Sequence, residues 1–388
     1  MRAPAARTRL VLSPMPALKA LMVETGGWGG IAHYTWNLCA ALTSAGVEVS
    51  LLTNREWELA HLSSVFEVDR CFSAGAGYLG NVKALRDRVA RARPGLVHVQ
   101  SVLSTRFDAL LWPLIRRHTP VVMTIHNVRP HERIRWDDWT LWRCLAAADA
   151  VVVHTKQAAA IARHRLPAAA RIELIHHGDA GFLGNGRPDR LVARTALGLP
   201  SGARIVLAFG AIRPYKGIHD VIAALPELRR RHADARLVIA GPLLVGSEGE
   251  YREAIRRAGV DDAVVFRPGY VPAEAVATYF AAADVAVYNY RDVTDSGSLR
   301  LACDLGTPVV ATAVGSFREF LTDGVTARLI EPGDAPALVK ALGDVLARPA
   351  AAARMAAAAR ALATSAWSWA ESARATARLY QTLARGAA

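Results

Sequence analysis

Four cysteines in 388 residues, Cys39, Cys71, Cys144 and Cys303, are too few and too scattered for a disulfide framework. None belongs to a C-x-x-C pair and none has a histidine at metal-ligand spacing, so no metal site is expected. They read as small buried apolar residues of a reduced, cytoplasmic protein. No run of about 18 apolar, charge-free residues occurs, which excludes a membrane-spanning helix. Zinc-finger spacing, an aromatic RNA-binding motif and a basic coiled region are also missing, which disfavours nucleic acid as a partner. The start, MRAPAARTRLVLSPMPALKALMVET, lacks a clean apolar core, because Arg7, Arg9, Pro14, Pro16 and Lys19 interrupt it. A short basic extension over residues 1–16 is expected there instead of a signal peptide.

What is present is a chain that is 52% hydrophobic and 21% charged, the composition of a well-packed protein. Its length exceeds one core, so two domains of roughly 150–200 residues are expected. An excess of 47 Lys and Arg over 34 Asp and Glu gives a formal charge of +13. With nucleic acid set aside, an anionic membrane surface or phosphorylated small molecules remain as partners, beside a plain compositional bias toward arginine.

Short apolar runs alternate with helical-period segments. LKALMVE, VEVSLLT, LVHVQ, PVVMTIH, AVVVHT and IELIHHG are strand candidates in the first half. RIVLAFGAI, ARLVIAGP, AVVFRPG, VAVYNY, PVVATAVG and ARLIEPG follow in the second. Continuous apolar strands separated by helices predict α/β architecture with parallel sheets covered on both faces. The polar stretch GDAGFLGNGRPDRLVARTALGLPSGA between the two series places a boundary near residue 190. Two doubly wound domains then face each other across a cleft, and ligands belong beyond the carboxyl ends of their strands.

Four constellations lie there. Gly26, Gly27, Gly29 and Gly30 surround Trp28 ahead of a helix, a spacing that lets backbone approach a ligand or simply makes a tight turn. His126 follows a buried strand and is trailed by Arg129, His131, Glu132, Arg133 and Arg135. Arg213 and Lys216 occupy the loop after the second domain's first strand, as diphosphate-binding cations or a solvated pair. Arg291 and the Ser296-Gly297 step precede a helix whose start is capped, binds phosphate, or both.

In order and spacing these segments resemble the GT-B glycosyltransferases of the family 4 type, over about residues 18–385. The resemblance rests on GGIAHYTWNLCAALTSAGVEVSLLT, HVQS, TIHNVRPHE, HHGD, GAIRPYKG, LVIAGP, GYVPAEAVATYFAAADVAVYNY, GTPVVATAVGSFREFLTDG and EPGD. It implies two Rossmann-like domains: an acceptor side over 17–190, rejoined by a C-terminal crossover helix over 367–388, and a donor side over 191–366. It implies metal-independent transfer of a hexosyl group, with retention, from a UDP- or GDP-type sugar to a saccharide or lipid-linked acceptor, with no cofactor. Lys216 and Arg213 would stabilise the departing diphosphate. Gly29, Gly30, Gly210, Tyr215, Arg291, Ser296, Gly297, Ser298 and Glu319 would surround the donor. His126 would bind the sugar or steer the incoming hydroxyl, with Trp28, Arg129, His131 and Glu132 on the acceptor side.

Two departures stand out. Ala211 occupies the place of the family's first arginine, and Val293 and Leu301 stand where its two glutamates would be. The chain matches a Ser-Gly variant there, in which Asp292, Asp295 or Asp304 is left to supply a carboxylate. Basic segments at 80–94 and 104–118, carrying Lys83, Arg86, Arg88, Arg91, Arg93, Arg106, Arg116 and Arg117, suit the inner face of an anionic membrane or a solvated surface. A soluble transferase acting on a small natural product, and a silent sugar-nucleotide-binding subunit, are the competing readings.

Overall fold

A computed structural model describes residues 18–104, 106–128, 135–184 and 186–386. The extension over 1–16, and Arg129, His131 and Glu132, lie outside the described residues.

The first lobe is a seven-stranded sheet of β1 (Lys19–Val23), β2 (Glu48–Asn54), β3 (Glu67–Phe72), β4 (Leu96–Val99), β5 (Val121–Thr124), β6 (Ala150–Val153) and β7 (Ile172–Leu174). The order is β3-β2-β1-β4-β5-β6-β7, every pair parallel. The second is a six-stranded sheet of β8 (Arg204–Phe209), β9 (Ala235–Ala240), β10 (Val264–Arg267), β11 (Val285–Tyr288), β12 (Val309–Thr312) and β13 (Arg328–Ile330). Its order, β10-β9-β8-β11-β12-β13, is also wholly parallel. Each strand expected from the apolar runs is present. β3 (EVDRCF) is the one that those runs miss, because this edge strand carries three charged residues among its six and offers no continuous apolar run.

Strand residues alternate between two cores, as the pleat requires. Ala20 and Met22 face the helix Gly29–Ser44, whereas Leu21 and Val23 join the core under the helices Gly77–Ala92, Asp108–Arg116 and Arg135–Ala146. The first of these cores runs on into the second lobe through Ile205, Leu207, Ala286 and Tyr288. All four cysteines are buried and free. No helix among the described residues is long and apolar enough to cross a membrane.

The helix Arg190–Ala196 packs on the helix Ala273–Ala282, and buried Arg194 pairs with Asp284 at 2.7 Å, so the chain has changed lobes by residue 190. The final helix, Trp369–Gly386, returns to the first lobe and packs along Gly29–Ser44. There the Tyr380 hydroxyl lies 2.6 Å from His98 Nδ1, and Ser372 Oγ donates to the His176 carbonyl at 2.7 Å. In both sheets strand order reverses beside the first strand of the lobe, opening a crevice at each carboxyl edge.

Candidate active site

The two crevices meet in one cavity of about 590 Å³ lined by both lobes. Its first wall is residues 24–30, directly after β1. Glu24 is 1% exposed and accepts four hydrogen bonds: from the N–H groups of Gly26 (2.8 Å) and Gly27 (2.9 Å), from Thr53 (3.0 Å) and from Ser101 (3.2 Å). A buried carboxylate without a cation is tolerable only when so satisfied, and in return it fixes the turn. Gly27 is obligatory in that turn, since its φ is +82° and a Cβ would lie 2.6 Å from that of Asn54. A Cβ on Gly29 or Gly30 would instead project into open space. The helix that begins there has no side-chain cap at Trp28; Glu58 accepts the Gly29 N–H at 2.9 Å, and the remaining N–H groups of the first turn are left for a ligand in the cavity.

The second wall follows β8 and β11. Gly210, Ala211, Arg213, Tyr215 and Lys216 come from one loop, and Asp295, Ser296, Gly297 and Ser298 from the other. Lys216 Nζ sits 5.2 Å from the centre of the Tyr290 ring. Burial pushes its ammonium down to about 8. Ser296 caps the helix Gly297–Asp304 by accepting the Leu299 N–H at 3.3 Å, and a Cβ on Gly297 would again meet nothing. Two helix N-termini and the half-buried Lys216 cation therefore open onto the same space, an arrangement suited to a polyanion.

The floor is aromatic. Tyr34 has His126, His154, His177 and Trp369 around it at ring-centre distances of 4.8 to 5.2 Å. Burial holds the three imidazoles below their ordinary range, so they are neutral hydrogen-bonding groups at pH 7. The roof ties the lobes together. Tyr270 OH donates to Glu58 Oε1 at 2.6 Å across 212 residues of sequence, and its ring meets Trp28 edge-on at 5.5 Å. Burial works to raise the Glu58 carboxyl, yet hydrogen bonds from His33, Tyr270 and Gly29 hold it down to about 2. The roof bond therefore persists across the whole range in which the folded chain would be assayed.

Of the residues singled out from sequence, Gly29, Gly30, Trp28, Gly210, Arg213, Tyr215, Lys216, Ser296, Gly297 and Ser298 share this cavity. His126 lies just beneath it, with Nε2 3.0 Å from Gln100 Oε1, while Asn127 and His177 form the surface. Two residues expected around the donor lie outside the cavity lining. Arg291 turns outward, because its N–H is bound to the Tyr215 carbonyl at 2.7 Å and its side chain, 68% exposed, reaches Asp220. Glu319 accepts the Lys156 N–H at 3.0 and 3.1 Å and so bridges the lobes outside the cavity lining. Glu24, Glu58, Tyr34 and Tyr270 were not anticipated. Among the described residues, no cluster of three His, Cys, Asp or Glu side chains could hold a metal ion.

Residues 189–362 match the family described as Glycosyl transferases group 1, and residues 28–178 match Glycosyltransferase Family 4. The GDP-mannose-dependent alpha-(1-6)-phosphatidylinositol monomannoside mannosyltransferase of Mycolicibacterium smegmatis is 38% identical over 42% of this chain and 44% of its own length. A D-inositol 3-phosphate glycosyltransferase of Streptomyces scabiei is 34% identical over 60% of this chain and 54% of its own. The chain thus spans about half the length of these two relatives. The D-inositol 3-phosphate glycosyltransferase of Streptomyces avermitilis is 29% identical and covers 98% of this chain and 90% of its own. In three dimensions the chain is similar to a sucrose-phosphate synthase from Thermosynechococcus elongatus, with a TM-score of 0.77 at 23% identity, covering 94% of this chain and 99% of the other. An Anabaena protein solved in complex with UDP and glucose gives a TM-score of 0.76 at 19% identity, over 94% of this chain and 100% of the other. At such identities the likeness is one of fold.

Proposed function

Since this chain belongs to the GT-B glycosyltransferases of the family 4 type, we propose that its cavity moves a hexosyl group from a UDP- or GDP-type sugar to a saccharide or lipid-linked acceptor. The observation that carries this reading is the convergence of Lys216 with the N-termini of the helices Gly29–Ser44 and Gly297–Asp304. As the bond from the anomeric carbon to the β-phosphate oxygen breaks, negative charge gathers on the departing diphosphate. The half-buried Lys216 ammonium and fixed N–H dipoles stabilise that charge, the task that a divalent cation performs in other transferases. The proposed reaction is accordingly metal-independent. Retention at the anomeric carbon is carried over from the family and is read from the anomer of the product.

A thermal-shift screen against UDP-, GDP-, ADP- and dTDP-hexoses tests the donor half. A true donor at 100 times its Kd adds about 2.7 kcal/mol of apparent stability. Absence of a shift with all four nucleotide classes contradicts the reading.

For the acceptor half we propose docking on an anionic bilayer. Leu79, Leu110 and Leu114 are 80%, 76% and 54% exposed on the helices Gly77–Ala92 and Asp108–Arg116, beside exposed Lys83, Arg86, Arg91, Arg116 and Arg117. Exposed leucines among basic residues are the pattern that inserts at the headgroup boundary. The protein is expected to float with phosphatidylglycerol vesicles and not with phosphatidylcholine vesicles. Failure to float at moderate salt favours a soluble small-molecule acceptor.

A further inference from the structure

Three carboxylates line the cavity: Glu24, Asp179 and Asp295. Both oxygens of Glu24 are saturated by the four donors of the glycine turn. Asp179 Oδ1 accepts the Gly181 N–H at 2.8 Å, and burial raises its carboxyl above the usual range. Asp295 differs. Its Oδ1 accepts the Ser296 N–H at 2.7 Å and lies 2.7 Å from Arg300 Nη2. Its Oδ2 has no hydrogen-bond donor among the described residues, and is not sealed from solvent.

Arg300 is built to hold this carboxylate. It is 2% exposed, and its guanidinium carbon stands 5.2 Å from the ring centres of both Phe320 and Trp367. None of its N–H groups is aligned for a hydrogen bond, so the attraction to Asp295 is one of charge, with the two aromatic faces as the remaining support. A cation this deeply buried with one carboxylate partner is costly unless that carboxylate stays ionised. Gly315 fixes the same loop from behind, since its φ is +44° and a Cβ would lie 1.8 Å from the Val293 carbonyl oxygen.

The location specifies the ligand. Asp295 is next to Ser296, which caps the helix assigned to the diphosphate, and it shares the cavity lining with Tyr34 of the opposite lobe, where its charge also acts on His126 and His154. A sugar bonded to that diphosphate lies between the two. Resting on the glycosyl-transfer reading above, we propose that Asp295 accepts a hydrogen bond from a ring hydroxyl of the transferred hexose, and so determines donor-sugar specificity in a chain without the family's glutamate pair. Arg300 is its positioning residue. No covalent bond to Asp295 forms or breaks in this role; a carboxylate oxygen placed to accept from one ring hydroxyl discriminates against donors lacking that hydroxyl.

The test compares wild type with Asp295→Asn, Arg300→Lys and Arg300→Met on the best donor from the screen and on its deoxy analogues, one ring position at a time. Asp295→Asn is expected to lower kcat/KM about 100-fold on the parent donor, with the Kd of the free nucleoside diphosphate changed by less than about threefold. On the analogue lacking the contacted hydroxyl, wild type and Asp295→Asn are expected to be equally slow. Arg300→Met follows Asp295→Asn, and Arg300→Lys recovers most of the rate. The unchanged diphosphate affinity serves as the control for folding. Wild-type transfer with Asp295→Asn equally active, or a loss identical on every analogue, overturns this inference alone. A wild type that binds no nucleoside diphosphate overturns the transferase reading as well.

Discussion

Lys216→Met is expected to lower the rate of transfer about 10²- to 10³-fold, equivalent to roughly 2.7–4 kcal/mol of transition-state stabilisation. The native ammonium lines the cavity half-buried and, unlike the Arg300 guanidinium, forms no ion pair with an acidic side chain among the described residues. Its counter-charge must come from the ligand, and that charge is greatest when the diphosphate departs. Burial lowers its pKa from the ordinary 10.5 to about 8, so the folded chain holds the proton less well than the unfolded chain does. Below pH 8 the charged form costs folding energy; the cost is relieved as pH rises from 8 to 10.5. Lys216→Met therefore should not lower the melting temperature at pH 7. Steady-state kinetics beside a thermal melt separates these effects: lost turnover with unchanged stability supports the role, whereas retained turnover removes it.

Trp367→Ala carries the largest structural cost, about 3–5 kcal/mol. Trp367 is 0% exposed, meets Phe320 edge-on at 5.5 Å and supplies one of the two faces beneath Arg300. It also stands between the helix Pro349–Ala366 and the returning helix Trp369–Gly386, where the chain passes back to the first lobe. Truncation leaves a void and a buried guanidinium with half its support, so the loss is structural and reaches Asp295 as well. Trp367→Phe retains most of the ring and removes an Nε1–H that has no partner, so it should cost less than about 1.5 kcal/mol. Denaturant midpoints followed by far-UV circular dichroism distinguish the two substitutions. Equal midpoints for Ala and Phe would show that the crossover does not depend on this side chain. Two lobes need not unfold together, so the comparison rests on midpoints and not on an extrapolated free energy.

Much of this was legible in the chain itself. Buried parallel strands are written as uninterrupted apolar runs, and such runs mark twelve of the thirteen strands. β3 is hidden because an edge position tolerates charge, and Glu67, Asp69 and Arg70 break up its apolar residues. The glycine turn, Lys216 and Ser296 were also readable, because each sits directly after a strand, where position alone implies a ligand. Long-range partnerships were not. Nothing local to Glu58 announces that Tyr270 will reach it, and Glu24 reads as the polar end of a strand until four donors close around it. Arg291 and Glu319 lie outside the cavity lining, which their place in the sequence does not announce. Both follow a strand in sequence, but backbone pairing turns one outward and helix packing hands the other to Lys156. Asp295 stood among three candidate carboxylates in sequence. Only the burial of Arg300 on Phe320 and Trp367 separates it from Asp292 and Asp304.

The most direct test of the site is isothermal titration of wild type and Lys216→Met with UDP and with GDP, from pH 7 to pH 10. Binding of one diphosphate by wild type is expected, weakening about tenfold per pH unit above roughly 8 as Lys216 loses its proton, together with much weaker and pH-flat binding by Lys216→Met. Affinity that is the same in both proteins, or that ignores pH across this range, would contradict the assignment of the diphosphate to Lys216.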